Sequence, residues 1–317
     1  MDTIIAVVVT HNRKDLLSEC ISALRAQTRK IDKILVVNNG STDQTQNWLS
    51  DQLDIEVINQ ANLGSAGGFF TAIKTGFESG YTWIWMMDDD GYPQSNALEL
   101  LLNCEDLELS LRNCAIIDKE DRRSFVWRTK HFKTIDQVED QIITNVAHPF
   151  NGTLLHRKIV ERVGLPNPNL FLWGDETDYY YRIVRKNAIP FYTVRDSIHY
   201  HPATSFTIKT DWKYLSGWKM YYYIRNRYHV LKSKFYHRPF LPHLLYVGFL
   251  IVFGCSILIF QKTDRRKKFF FLFWPARDAF REHFSETPRS ILSKLNIQQG
   301  NMLFPRMKGP QGIFSSS

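Results

Sequence analysis

The chain of 317 residues is 44% hydrophobic and 14% aromatic, enough to bury a substantial core in one large domain with an appendage or in two domains. Its net charge of +8 is uneven: residues 1–205 hold 21 Lys and Arg against 27 Asp and Glu, and residues 206–317 hold 19 against 5. This excludes a generally basic protein and points to an anionic surface beside the last third, while four cysteines without CxxC spacing or a completing histidine pair exclude a zinc pattern and suit a reducing, cytoplasmic setting.

The first hundred residues alternate strand and helix patterns. Ile4–Val9 reads as a strand; it is too short for a secretory signal and lacks a basic flank. Lys14–Gln27 has helical spacing through Leu16, Leu17, Cys20, Ile21 and Leu24. Lys33–Val37 is a second strand, followed by the turn Asn38-Asn39-Gly40-Ser41-Thr42-Asp43, and Ile55–Asn59 a third. A glycine-rich loop, Asn62–Phe69, opens a helix that runs to Ser79, and Tyr81–Met87 reads as a buried strand. This alternation implies an α/β fold, a doubly wound and mostly parallel sheet with right-handed crossovers.

The fourth strand runs into Asp88-Asp89-Asp90 and the turn Gly91-Tyr92-Pro93. Three acids at the carboxyl end of an apolar strand repel one another and need a counter-charge. A divalent cation supplies one, because hard cations take carboxylate oxygens. Ligands in open α/β sheets also bind at this end of the strands. An isolated acidic triplet would read as a solvated turn; the apolar run before it argues against that.

Farther on, Ala115–Phe132 reads as strands of a mixed region, Ala147–Leu155 contains a strand, and His156–Val163 is a short helix. Leu170–Arg182 (LFLWGDETDYYYR) enters a helix, and Ile189–Val194 is a strand leading to His199-Tyr200-His201. Histidines two apart on extended backbone face the same side. From Trp212 the texture changes. Tyr214–Lys232 is aromatic and basic, and Leu244–Phe260 carries no charge over 17 residues. Lys262, Arg265, Arg266, Lys267 and Lys268 follow, then Phe269–Trp274. The uncharged run is at the short edge of the roughly 20 residues that span a bilayer. The aromatic-basic texture around it favours a patch lying in the membrane interface over a spanning helix or a buried one.

The runs IIAVVVTHNRKDLLSECISAL, ILVVNNGSTDQT, NLGSAGGF and WIWMMDDDGYP, extended by FLWGDETDYYYR and YYYIRNRYHV, together resemble the inverting nucleotide-sugar glycosyltransferases of family 2, which have the GT-A fold. Within that family the chain is most similar to bacterial galactofuranosyltransferases, with rhamnosyltransferases next. The resemblance covers residues 1 to about 230. It implies a GT-A nucleotide-sugar-binding and catalytic domain over 1–210, ahead of a membrane-associating helical region over 211–300 and a flexible tail over 301–317.

The resemblance also implies roles. Asp90 binds Mn²⁺ or Mg²⁺, Asp88 holds ribose or shares the metal, and Asp89 touches the donor sugar. His201 completes the metal site in preference to His199. Glu176 falls where the family has an aspartate base, with Asp175 as the alternative; taken alone, both acids would simply favour a helix N-terminus. Thr10, Asn12 and Arg13 match the nucleotide-contacting turn, and Asn39 the base-contacting position, where the family commonly has Asp. Asn62, Gly67 and Gly68 would let the backbone approach the donor. Arg225-Asn226 either reaches the diphosphate or braces the domain, and Trp173 either stacks on an acceptor sugar or packs in the core.

The expected activity is metal-assisted transfer with inversion, of galactofuranose from a UDP donor onto a glycan or lipid-linked glycan acceptor. The setting would be the cytoplasmic face of an anionic membrane. The rival readings are a rhamnosyltransferase using a dTDP donor and a non-catalytic nucleotide-sugar-binding scaffold. A nucleic-acid partner is disfavoured because the basic end is also strongly apolar.

Overall fold

Strand β1 (Ile4–Thr10) is buried along its whole length. Its period of two sends Ile4, Ala6 and Val8 into one apolar layer and Ile5, Val7 and Val9 into the other. Helix α1 (Lys14–Arg25) closes the first layer with Leu17, Cys20, Ile21 and Leu24. Helix α3 (Gly64–Glu78) closes the second with Phe69, Ala72 and Ile73. Each Leu, Ile, Val or Phe so removed from water contributes about 1.5–3 kcal/mol. The computed structural model describes residues 2–104, 109–127, 129, 132–144, 150–203 and 209–297.

Strands β2 (Lys33–Asn39), β3 (Ile55–Gln60) and β4 (Trp83–Asp88) flank β1 in the order β3-β2-β1-β4, all parallel. This half is the doubly wound arrangement that the alternation implies. The sheet continues through β8 (Thr153–His156), β6 (Leu111–Asp118), β9 (Phe191–His201) and β5 (Tyr92–Pro93), with β7 (Ile142–Thr144) also on β9. Only the β6–β9 pair is parallel in this second half, so the sheet as a whole is mixed.

Three expectations shift here. The strand expected through Phe132 stops at Asp118, and Ser124 and Phe125 make only isolated bridges. The strand expected within 147–155 begins at Thr153; residues 145–149 lie outside the described residues. The strand expected to end at Val194 runs on through both histidines, because a register shift opposite Cys114 and Ala115 absorbs Arg195, Asp196 and Ser197.

The remaining helices are α2 (Thr45–Ser50), α4 (Ala97–Leu102), α5 (Arg157–Val163), α6 (Asp175–Tyr181), α7 (Trp218–Lys234), α8 (Leu241–Phe260), α9 (Arg265–Phe271), α10 (Phe273–Phe280) and α11 (Pro288–Ile297). Met220, Tyr221, Tyr222 and Ile224 of α7 form a core with Phe253 and Ile257 of α8, Phe271, and Ile291 and Leu295 of α11. Phe171, Leu172 and Trp173, from the loop before α6, pack against the same core. The C-terminal helices therefore bear directly on a loop of the α/β part, across the boundary expected at 210. The tail expected over 301–317 lies outside the described residues.

Candidate active site

Parallel pairing sets Val9 opposite Asp88, so the turn after β1 meets the three aspartates. Thr10 Oγ1 donates to Asp89 Oδ2 at 2.7 Å. Arg13 Nη1 lies 3.0 Å from Asp89 Oδ1 and 2.7 Å from Asp90 Oδ2. Much of the counter-charge expected of a cation is thus supplied by an arginine. Thr10 and Arg13, expected on the nucleotide, are bonded to the acids instead. Asp89 is 3% exposed with both oxygens engaged, so it braces the cluster and does not present itself to a sugar.

Asp90 keeps one oxygen for other work. Oδ1 is buried, and His201 Nε2 lies 3.2 Å from it. The other ring nitrogen, Nδ1, is 2.8 Å from the Pro202 carbonyl. That contact makes Nδ1 a donor and leaves Nε2 face to face with a carboxylate oxygen. Two acceptors facing each other require a proton or a cation between them. Burial pushes the Asp90 carboxyl up, but the hydrogen bond and charge of His201, then Arg13, outweigh it and hold it at about 2. Asp88 keeps part of its surface open, and burial followed by repulsion from Asp90 and Asp89 pushes its carboxyl well up. A cation would relieve that repulsion. Among the described residues no three His, Cys, Asp or Glu side chains converge as a metal cage. Asp90 and His201 fit the looser arrangement in which two protein ligands share a small cation with phosphate oxygens and water. His199 is fully buried with neither ring nitrogen bonded, and its Nε2 lies where a Gly91 Cβ would be, at 2.3 Å. It packs beneath the turn, whereas His201 meets Asp90.

The ends of β1, β2 and β3 form a polar rim. Asn12, at φ 56°, accepts from the Thr42 backbone N–H at 2.6 Å and ties the first two strand ends together. Asn39 is 3% exposed; its oxygen accepts from Gln60 and from Leu63 N–H, and its amide donates to the Gly64 carbonyl at 2.9 Å. It therefore anchors the glycine loop and is not presented to a base. Asn62 is exposed and accepts from Gly64 N–H at 2.9 Å. Gly67 and Gly68 do not open the backbone to a ligand. A Cβ at Gly68 would meet Val9 Cγ1 at 2.4 Å and one at Gly67 would meet Leu63 Cβ at 2.3 Å, so they let α3 sit close on β1 and on its own first turn. The glycine that matters for the site is Gly64, at φ 71°, where a Cβ would lie 2.0 Å from the Phe171 carbonyl oxygen.

That contact brings the donor-side loop against the loop that carries the second pair of acids. Ala66 N–H donates to Phe171 O at 3.2 Å. Phe171, Trp173 and Gly174 all have positive φ, at 64°, 58° and 99°. Two non-glycine residues so close together in that region are strained. Asn226 holds them: its Nδ2 lies 2.8, 2.9 and 2.8 Å from the carbonyl oxygens of Leu170, Leu172 and Trp173. Arg225 is fully buried, donating to the carbonyls of Asn169 and Leu170 and to Asn226 Oδ1. These bonds realise the bracing alternative for Arg225-Asn226 rather than contact with a diphosphate. Replacing Asn226 by Ala should cost about 1–3 kcal/mol of stability, the scale for stranding buried acceptors. It should also lower kcat more than it raises the KM for the donor. Thermal melts and steady-state kinetics check both; unchanged kcat would contradict the clamp.

The strained loop delivers Asp175 and Glu176 to the first turn of α6. Asp175 is fully buried, and its Oδ2 accepts from Ser65 Oγ at 2.9 Å. Burial, then the charge of Glu176, pushes its carboxyl well above the usual range. Glu176 is partly exposed and accepts long contacts, 3.3 Å from Gly174 N–H and 3.3 Å from Thr177 Oγ1, beside its hydrogen bond with Asp175. Its charge also helps to raise Asp88, so the two acid clusters share one electrostatic space. A carboxyl raised on folding contributes stability below its unfolded value, near 3.9, and loses it as pH climbs towards its folded value. Asp175→Asn should therefore melt higher than the parent, by a margin that grows as pH rises from 4 and disappears at pH 4. A margin independent of pH would contradict the raised carboxyl.

Two residues that the sequence reading did not single out, Gly64 and Ser65, thus support the site. Only the GSAGG run carried a signal for them.

With this geometry in place, the chain was compared with known proteins. Residues 5–164 match the family model described as Glycosyl transferase family 2. The chain is 33% identical over 222 residues to galactofuranosyltransferase GlfT1 of Mycobacterium tuberculosis, covering 66% of this chain and 73% of that protein. It is 33% identical over 216 residues to GlfT1 of Mycolicibacterium smegmatis, covering 63% and 71%. In three dimensions it is similar to S. aureus TarS in complex with UDP-GlcNAc, with a TM-score of 0.56 at 13% identity over 87% of this chain and 81% of that one, a likeness of fold.

Proposed function

From the premise that this chain belongs to glycosyltransferase family 2 and is a nucleotide-sugar transferase, we propose that it moves galactofuranose from UDP-galactofuranose onto a lipid-linked glycan, with inversion, at the cytoplasmic face of a membrane. The observation that carries the reading is the convergence of two acid groups: Asp88, Asp90 and His201 at the strand ends, and Glu176 on the loop that docks against Gly64 and Ser65 and whose charge reaches Asp88. The relatives supply the donor sugar.

In this reading the UDP moiety lies along the rim formed by Asn12 and Asn62, with its diphosphate towards Asp88 and Asp90. A divalent cation bound by Asp90 and His201 would act as a Lewis acid on the diphosphate leaving group. Arg13 holds Asp89 and Asp90 in place for it. Glu176 takes the proton of the acceptor hydroxyl as that oxygen attacks the anomeric carbon. The new C–O bond forms on the face opposite the departing phosphate oxygen, and UDP leaves with the electron pair. Asp175, buried with its carboxyl pushed well above the usual range, spares the loop a second negative charge beside Glu176. Asn226 and Gly64 hold the base-bearing loop against the donor loop.

The experiment is a nucleotide-release assay over a panel of UDP- and dTDP-sugars with Mn²⁺ or Mg²⁺. UDP-galactofuranose should be turned over fastest. A preference for dTDP-rhamnose would move the assignment to the rival transferase, and no release with any donor would favour a non-catalytic binder.

A further inference from the structure

A cavity of about 300 Å³ lies beside α9 and α10. It is lined by Tyr214, Arg266, Lys267, Phe270, Phe271 and Trp274. The structure separates the four consecutive basic residues beside it. Lys268 is fully buried and spent on Asp211 at 2.7 Å and Gln261 at 2.9 Å. Arg265 is bonded to the Gln261 carbonyl. Lys267 has only a loose 3.5 Å contact with Asp264, and Arg266 has no ion-pair partner among the described residues. Two cations therefore remain available, and both face the cavity.

The walls around them are aromatic, and the mouth is apolar. Tyr214 and Phe271 are buried, whereas Phe270 is 67% exposed and Phe273, 6.5 Å from it, is 62% exposed. Helix α8 packs on α9 through Gly254 and Phe269 and exposes Leu244, Ile251, Val252 and Ile259. An apolar surface of this extent beside one unpaired and one loosely paired cation suits an occupant that is anionic at one end and hydrocarbon at the other. A soluble anion would use the cations and leave the apolar surface in water. Arg binds phosphate oxygens in a fork, and aromatic rings such as Trp274 favour the polar–apolar boundary.

We propose that this cavity binds the phosphate of a membrane lipid, its chains lying along Phe270, Phe273 and the exposed face of α8. The inference rests on the reading that the C-terminal region meets a membrane, and it is independent of the donor and the reaction. The site is specific: it uses Arg266 and Lys267, not the basic run as a whole.

The test uses the full chain and dodecyl phosphate, titrated by ³¹P NMR, with inorganic phosphate and dodecyl maltoside as comparators. Vesicle sedimentation with phosphatidylglycerol and with phosphatidylcholine runs in parallel. The double variant Arg266→Gln with Lys267→Gln should bind dodecyl phosphate about tenfold or more weakly and sediment less with phosphatidylglycerol. The variant Arg185→Gln with Lys186→Gln removes the same charge from another exposed segment and should match the parent. Phe270→Asn should weaken dodecyl phosphate while leaving inorganic phosphate unchanged. Equal losses in the two double variants, equal binding of inorganic and dodecyl phosphate by the parent, or unaltered binding by the Arg266/Lys267 variant would each overturn the site. Nucleotide release with a soluble acceptor, measured on the same samples, reports the transferase reading separately: it should be the same in all of them.

Discussion

Replacing Glu176 by Gln should lower turnover by roughly 10²–10⁴-fold, the scale of a general base, and leave UDP binding nearly unchanged. The substitution keeps the shape of the side chain and its contact with Thr177 but removes the proton acceptor. The comparison that gives the result meaning is Asp175→Asn. Asp175 lies deeper, bonds to Ser65, and is held protonated by burial and by Glu176. Asn mimics that protonated form, so its kinetic effect should be small. Single-turnover rates for both variants, with donor affinity measured in parallel, decide the matter. A large loss in Asp175→Asn with little in Glu176→Gln would reverse the two roles.

Chelation should abolish nucleotide release, and Mn²⁺ or Mg²⁺ should restore it. Asp90→Ala should lose about 10²-fold or more in kcat, the scale for removing one group that stabilises a departing charge. Asp90 Oδ1 and His201 Nε2, 3.2 Å apart at the strand ends, are the two atoms placed to share the cation. Arg13 retains Asp89 in the variant, so the turn after β1 should stay folded, which circular dichroism checks. Full activity in chelator would sink the metal assignment.

How much of this could be read from the chain depends on the range of the interaction. The first four strands and two crossover helices were legible because period-two and helical spacing are local properties. The position of the aspartates at a strand end was legible for the same reason. The extension of β9 to His201 was not, because the polar Arg195-Asp196-Ser197 looks like a strand end and becomes a register shift only opposite β6. Gly67 and Gly68 were misread because a glycine needed for helix–strand approach looks the same in sequence as one needed for a ligand. Thr10 and Arg13 turned out to face acids 76 to 79 residues away, and Asn226 a loop 53 to 56 residues away. No local pattern encodes such partners. The departure from the family's aspartate at Glu176 was visible, but only the burial of Asp175 shows which of the two acids is the more exposed.

Inverting galactofuranosyl transfer fixes the stereochemistry of the product. The most direct measurement is the anomeric configuration of the first product, read by NMR after incubation with UDP-galactofuranose, Mn²⁺ and a glycan acceptor on a short lipid. A single galactofuranoside of configuration opposite to the donor's should form, in step with UDP release. A product of retained configuration, or UDP release with water as the sole acceptor, would contradict it.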